Sequence, residues 1–238
     1  MNKYLLFRLY APLCSWGDIA VGELRPSYTH PSKSAVVGLL AAALGIRRDE
    51  EEKLKHLSQD YGLAVLVESF GKLLSDYHTA QVPPGNERYA TRRDELSLMP
   101  KHRLKTILSS RDYRMDALYT VVMREINQSL WDIGKIVKKL KQPVFTLYLG
   151  RKSCPPAIPL EPQVIESETM LDAIRRAEFT VDINEIIREN NGRKELFFEE
   201  CFCSEVTAVQ IYERRDIPLS RKRWQFDTRR EYYAVIGG

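Results

Sequence analysis

Four groups of residues in this 238-residue chain have the types and spacing to do chemistry. The first is Tyr148-Leu149-Gly150-Arg151-Lys152-Ser153-Cys154-Pro155. Arg151 and Lys152 can neutralise phosphates, Ser153 can donate to a phosphate oxygen or a 2′-hydroxyl, and Gly150 permits close backbone approach. Tyr148 can stack under a splayed base, a contact worth roughly 1–3 kcal/mol. The plainer alternative is a strand end with Tyr148 buried and two solvated cations. The second group is Ser32-Lys33-Ser34, at the start of a predicted helix. Free backbone N–H groups, the helix dipole and the charge of Lys33 make a natural phosphate site there, while Ser32 serves equally as an ordinary N-cap. In the third group, Arg88, Arg92, Arg93, Lys101, Arg103 and Lys105 are interleaved with Tyr89, His102 and apolar residues. A projecting segment of that kind suits threading between nucleotides, although part of the charge reads as solvated surface. The fourth is Tyr77-His78, an acid–base pair beside basic residues.

Other candidates carry less. His30 can approach the same ligand, His56 reads as a surface residue, and His102 follows Lys101. Arg221, Lys222, Arg223, Arg229 and Arg230 flank Trp224 and Phe226 and read as a structural or subunit contact. Trp16 and Trp131 read as core or interface anchors. Cys201 and Cys203 lack a second pair at metal-ligand spacing, and Cys14 and Cys154 are far away, so no metal is expected. No phosphate-binding Walker loop or dinucleotide fingerprint appears, so no nucleotide cofactor is expected.

The charge distribution fits a polyanionic ligand. The whole chain carries only +4, yet Asn86–Lys152 holds 15 Lys/Arg against 7 Asp/Glu, which is +8 locally and −4 for the remainder. Such a segment inside a nearly neutral chain is the footprint expected for a polyanion. With 44% hydrophobic residues the chain can bury a substantial core. Its longest apolar run, near Ala35–Leu44, is too short to span a bilayer, and Arg8 interrupts the apolar start. A cytoplasmic, reduced protein is expected.

These residues must be positioned by a frame that the hydrophobic pattern outlines. Residues 3–10 read as a strand, and Ser32 caps a helix over about 33–45 that ends at Gly45 and is apolar almost all round. A short polar helix over 49–59 turns Leu54 and Leu57 inward, and 62–70 is a second strand. The stretch of about 75–114 is basic, contains Pro83-Pro84-Gly85 and shows little core patterning. A strand resumes over 117–124. Asn127 or Ser129 caps a helix running to Lys141, with Leu130, Ile133, Val137 and Leu140 as its stripe. Residues 144–149 read as the closing strand. Setting the basic stretch aside leaves strand-helix-strand-strand-helix-strand, the ferredoxin-like order that RNA-recognition domains also use. The basic stretch falls between two hairpin partners and reads as an inserted arm. After prolines 155, 156, 159 and 162 come a helix over 167–177 and strands over 179–187, 195–203, 205–213 and 231–236. The expected organisation is therefore α+β: a palm over 1–155 and a small, mostly β unit over 156–238.

Several short segments, in one order along nearly the whole chain, resemble the CasD family, the fifth Cas family, of type I-E CRISPR Cascade. They are Ala11–Gly17, Arg25-Pro26 with Pro31–Ser34, Gly38–Leu40 with Ala43–Ile46, Asp76–Thr79, Tyr148–Pro155 and the closing Tyr232–Gly238. The arm interior and residues 160–220 match poorly. The resemblance implies a ferredoxin-like palm, a β-hairpin thumb and a small C-terminal β-rich domain. It implies a non-catalytic subunit at the foot of Cascade, gripping the repeat-derived 5′ handle of the CRISPR RNA without a cofactor. The implied partners are CasC and CasA, with CasB and CasE in the same complex and target DNA reached only through it. The thumb is implied to press between nucleotides and displace one base. The RNA contacts would be Lys33, Ser34, Tyr77, His78, Arg92, Arg93, Arg103, Lys105 and the loop Tyr148, Gly150, Arg151, Lys152 and Ser153. In type I-C relatives a related protein cuts repeat RNA with tyrosine, lysine and histidine in metal-free acid–base chemistry. That endoribonuclease is the alternative reading, and in the type I-E branch CasE does the cutting.

Overall fold

The computed structural model describes residues 1–85, 88–97, 100–181, 183, 194–220, 223 and 225–237. The chain runs β1 (Asn2–Cys14), β2 (Trp16–Gly17), β3 (Leu24–Arg25), β4 (Ser27–Tyr28), α1 (Lys33–Leu44), α2 (Glu51–Gln59), β5 (Tyr61–Ser69) and β6 (Lys72–Val82). It continues α3 (Arg92–Ser97), β7 (Lys105–Glu125), α4 (Ile133–Lys141), β8 (Gln163–Ser167), α5 (Met170–Arg176), β9 (Lys194–Phe198), β10 (Gln210–Ser220) and β11 (Gln225–Ile236). This is a mixed α+β fold. Among the described residues nine strands form one sheet. Its main path is β10-β11-β9-β5-β7-β1-β8, antiparallel throughout, while β6 and β3 pair with β7 off that path.

β1 lies inside the sheet, between β7 and β8, and is covered on both faces, which is why its sequence is a nearly unbroken apolar run. Leu5, Phe7, Leu9 and Ala11 enter the core shared with α1, α2 and α4. Tyr4 and Leu6 point the other way, into a core with Met170, Phe198, Phe202 and Tyr232. The strands after Pro155 therefore extend the sheet and fill its second face: β8 pairs with β1, and β9 with β5.

α1 forms as its sequence predicts. The Ser32 side chain accepts from the Ala35 N–H at 3.1 Å, and Gly45 closes the helix at φ 78°. α4 starts later than expected, because Asp132, not Asn127 or Ser129, caps it by accepting from the Lys135 N–H. Leu130 consequently lies before the helix and is exposed, and Ile136 joins Ile133 and Leu140 in the core.

The expected strand over 144–149 does not form. That segment instead crosses the end of α1, with Val144 and Phe145 N–H groups donating to the Ala43 and Ala42 carbonyls at 3.1 Å each. The strand that pairs with this edge of β1 is β8, in a register that runs from Asn2↔Ser167 to Leu6↔Gln163. Of the later expectations, the helix is shortened to α5, the strand over 195–203 stops at Phe198, and that over 205–213 shifts to β10. The strand expected over 179–187 falls largely outside the described residues.

The basic stretch is a hairpin arm. β6 pairs with the first half of β7, from Lys72↔Met115 to Val82↔Lys105, and the second half of β7 returns to the central sheet. The bend between arm and sheet is at Gly71 (φ 61°), where a Cβ would lie 2.0 Å from the Met115 carbonyl oxygen. Opposite it, Asp116 adopts φ 54°. The arm contributes nothing to the buried core on β6, whose residues 72–79 are all exposed.

Candidate nucleic-acid interface

A cleft of about 590 Å³ opens between α1, the corner after β1 and the segment 145–151. Its floor is Ala35, Gly38, Leu39 and Ala42. Ser34, Tyr148, Phe145 and Arg151 line its walls, and Arg47 and Arg48 stand exposed at its edge. Four of the sequence-predicted positions, Ser34, Tyr148, Gly150 and Arg151, thus meet in one place although more than a hundred residues separate the first from the rest. Cations, a phenol and hydroxyls around an apolar floor can hold phosphates at the rim and a base inside.

The loop is anchored from within. The Ser15 N–H donates to the Leu149 carbonyl (3.1 Å), and the Leu149 N–H to that of Cys154 (2.7 Å). Gly150 sits at φ 88°, where a Cβ would lie 1.7 Å from the Ser15 carbonyl oxygen. The close approach that glycine permits is therefore to the protein's own backbone, a correction to its expected approach to a ligand. Gly150→Ala combines left-handed strain with a backbone clash, and should cost about 2–4 kcal/mol of stability. Denaturant unfolding checks this, and a change below ~1 kcal/mol would show that the loop relaxes freely.

Arg151 is half-buried. Its Nη2 donates to the Arg25 carbonyl at 3.1 Å, and its guanidinium lies 4.6 Å from the centre of the Tyr113 ring. It ties the loop to the base of the arm, because Arg25 is in register with Arg111 on β7. Lys152 and Ser153 are exposed beside it, and Tyr148 is half-buried on the cleft wall.

Lys33 does not face a ligand. It is buried, and its ammonium pairs with the Glu199 carboxylate at 2.8 Å. Its backbone N–H donates to Asp216 at 2.8 Å, so a protein carboxylate already occupies the helix start where a phosphate was expected. Arg229 bonds both oxygens of Asp216 (2.7 and 2.9 Å) and also Glu231 (2.6 Å). Arg214 reaches Glu231 at 3.1 Å and the His30 carbonyl at 3.1 Å. His30, expected near the ligand, is buried instead, 3.0 Å from Glu231 and stacked on Phe197. Burial lowers its pKa to about 4, so it is neutral at physiological pH. The network thus balances three cations, Lys33, Arg214 and Arg229, against three carboxylates.

On the arm, Tyr77 and His78 are exposed but adjacent in an extended strand, so they project to opposite faces and cannot act on one substrate atom together. Arg92 donates to the Gln81 carbonyl and pairs with Glu95, which holds α3 against β6. Arg93, Arg103, Lys105 and His102 are exposed. None of these arm residues lines the cleft. His56 pairs with Asp60 at 3.0 Å. The second basic cluster divides: Arg229 is in the buried network, Arg223 and Arg230 are exposed, Phe226 lines the cleft, and Arg221, Lys222 and Trp224 lie outside the described residues. Trp16 and Trp131 are core residues.

The face of the sheet turned away from α1 and α4 is covered at Arg8, Tyr10 and Leu118. The Arg8 guanidinium packs over Phe179 and donates to the Val181 carbonyl, and Ile183 is buried against Tyr10 and Leu118. Of the residues lining the cleft, sequence reasoning passed over Arg47, Arg48 and Phe145, and read Phe226 as part of a structural or subunit contact. The Arg47-Arg48 pair, separated from the helix-ending Gly45 only by Ile46, was the available signal.

A family profile described as CRISPR-associated protein (Cas_Cas5) matches residues 4–232. The CRISPR system Cascade subunit CasD of Escherichia coli (strain K12) is 34% identical over 163 residues, spanning 67% of this chain and 70% of that protein. A solved structure described as a CRISPR RNA-guided surveillance complex contains a chain that superposes with a TM-score of 0.69 at 25% identity, covering 98% of this chain and 90% of that one. A second solved structure, of a Cas protein, superposes at 0.59 with 24% identity over 98% and 95%, a likeness of fold.

Proposed function

This chain belongs to the CRISPR-associated Cas5 family, in its CasD branch, and on that premise we propose that it is a non-catalytic RNA-binding subunit of a type I-E Cascade. Its task in the cytoplasm is to hold the repeat-derived 5′ handle of the CRISPR RNA while capping the complex. The observation that carries this reading is the cleft, where Ser34, Tyr148 and Arg151 converge with Arg47 and Arg48. Exposed Lys152 and Ser153 extend it toward the arm, whose Tyr77, His78, Arg93, Arg103 and Lys105 would engage the strand further along. Arg92, tied to Gln81 and Glu95, would shape the arm's end. CasC and CasA are the neighbours this reading expects, with CasB, CasE and target DNA met through the complex.

We read β8-β1-β7-β5, with α1 and α4 as its connections, as a ferredoxin-like palm made of residues 1–155 completed by β8 from beyond the expected boundary, the hairpin arm as its thumb, and the rest of 156–238 as a second unit built onto its sheet. The separation of Tyr77 from His78, and the burial of His30, favour gripping over metal-free cleavage. The test is to tag the protein in its host, purify it at mild salt and map the 5′ ends of the retained RNA. RNAs sharing one short repeat-derived tag, together with several Cas subunits, are the expected result. A random cellular mixture without partners would overturn the reading, and cleavage of repeat RNA by the pure protein would restore the endoribonuclease.

A further inference from the structure

The helix α4, Ile133–Lys141, contains four lysines and no acidic residue. Ile133, Ile136 and Leu140 are buried, which directs the opposite face to solvent. Lys135 is three residues from Lys138 and four from Lys139, so the three share one side of the helix, with Lys135 and Lys138 exposed and Lys139 half-buried at its border. Among the described residues none of the four ammonium groups forms an ion pair or a hydrogen bond, although the Lys135 backbone N–H donates to Asp132. Lys141 borders a groove with Glu161 and Glu178 and is the least free of them. Lys135, Lys138 and Lys139 thus form a cationic surface, with the capping Asp132 carboxylate at its start, in a chain whose cations and anions nearly cancel, 36 against 32.

We propose that this face of α4 is a contact for the phosphate backbone of double-stranded nucleic acid, separate from the cleft. Two features favour a duplex over a single strand. Single-strand sites combine cations with aromatic platforms for the bases, as the cleft does with Tyr148 and Phe145, whereas the outward face of α4 presents no aromatic or apolar group. The lysines also span about 6 Å along the helix axis, comparable with two steps of one strand of a duplex, so they can meet successive backbone phosphates without reading a base. The contact is therefore sequence-independent and electrostatic. It does not require the cleft reading to be right.

The experiment uses the full-length chain and its Lys135→Ala/Lys138→Ala/Lys139→Ala variant. Affinity for a short mixed-sequence DNA duplex, its RNA-duplex counterpart and a single-stranded RNA is measured across a salt series. Three lost phosphate contacts should weaken duplex binding roughly 10-fold or more at low salt and reduce the slope of log affinity on log salt by about 2.7. Single-stranded RNA binding should be unchanged, and the triple arginine variant should retain duplex binding. The DNA and RNA arms tell which duplex is preferred. An unaltered duplex slope, no duplex binding by the parent chain, or an equal loss on single-stranded RNA would each overturn the proposal. Lys135 and Lys138 are exposed and Lys139 is half-buried, and a circular-dichroism melt matching the parent confirms that the fold is kept.

Discussion

Glu231→Ala should destabilise the protein by about 3–5 kcal/mol, enough to unfold much of it at moderate temperature. Glu231 is buried on β11 and contacts three groups at once: His30, Arg214 and Arg229. Its charge, with those of Asp216 and Glu199, offsets Lys33, Arg214 and Arg229, and removing it leaves two guanidinium groups out of water with one counter-charge fewer. The cost comes from that uncompensated charge, not from any large intrinsic worth of the network. A control is Lys53→Ala, which removes the solvent-facing Lys53–Glu50 pair and should change stability by less than ~1 kcal/mol. The same network sets a pH dependence. The unfolded chain takes up the His30 proton near its ordinary value of 6.5, the folded one only near 4. Stability from this group is therefore complete above about pH 6.5 and is lost as pH falls toward 4, by about 3 kcal/mol. Glu231, whose pKa is lowered from 4.5 by His30 and the two arginines in spite of its burial, adds a further loss that begins near pH 4.5, at the foot of that window, and continues below it. Denaturant midpoints measured between pH 7 and pH 4 should fall in the parent and stay flatter in His30→Gln. An equal fall in both would assign the acid sensitivity to other groups.

How far the sequence could be read follows from the range of the forces involved. β1, α1, β5 and the hairpin arm were legible because their signals are local: an apolar run, a capping serine, a closing glycine, a basic stretch between two strands. The loop 148–153 was legible because its types stand together in the chain. Lys33 was misread because its partner Glu199 lies 166 residues away and Asp216 lies 183 away. A lysine at a helix start has the same local pattern whether it meets a phosphate or a buried carboxylate. The segment 144–149 alternates like a strand, and Leu147 and Leu149 do bury, yet the edge of β1 is taken by residues 163–167. Which of two segments wins an edge depends on the whole packing, on Met170 and Ala173 behind β8 as much as on β8 itself. Arg47 and Arg48 were overlooked because nothing in their neighbourhood says that Phe145 and Phe226 approach from elsewhere in the chain.

The cleft can be separated from the frame that supports it. Tyr148→Ala should weaken binding of a single-stranded RNA carrying the host's repeat-derived 5′ tag by roughly 1–3 kcal/mol, about 5- to 150-fold, through loss of a stacked base. Tyr148→Phe keeps the ring and should bind nearly as the parent does. Arg47→Ala/Arg48→Ala acts differently: two phosphate contacts to a single strand contribute about 0.7 each to the salt slope, so it should fall by about 1.4. These are expected to combine with little loss of stability, because Arg47 and Arg48 are exposed and Tyr148 is only half-buried. Lys33→Ala provides the contrast. Buried against Glu199, it should lower stability while leaving the affinity of the remaining folded protein and its salt slope unchanged. The four variants therefore divide along two axes, affinity against stability and stacking against charge. If Tyr148→Ala and the double arginine variant both bind tagged RNA as the parent does, the cleft is not where the strand is held. The exposed face of the arm, with Tyr77, Arg103 and Lys105, would then have to supply the grip by itself.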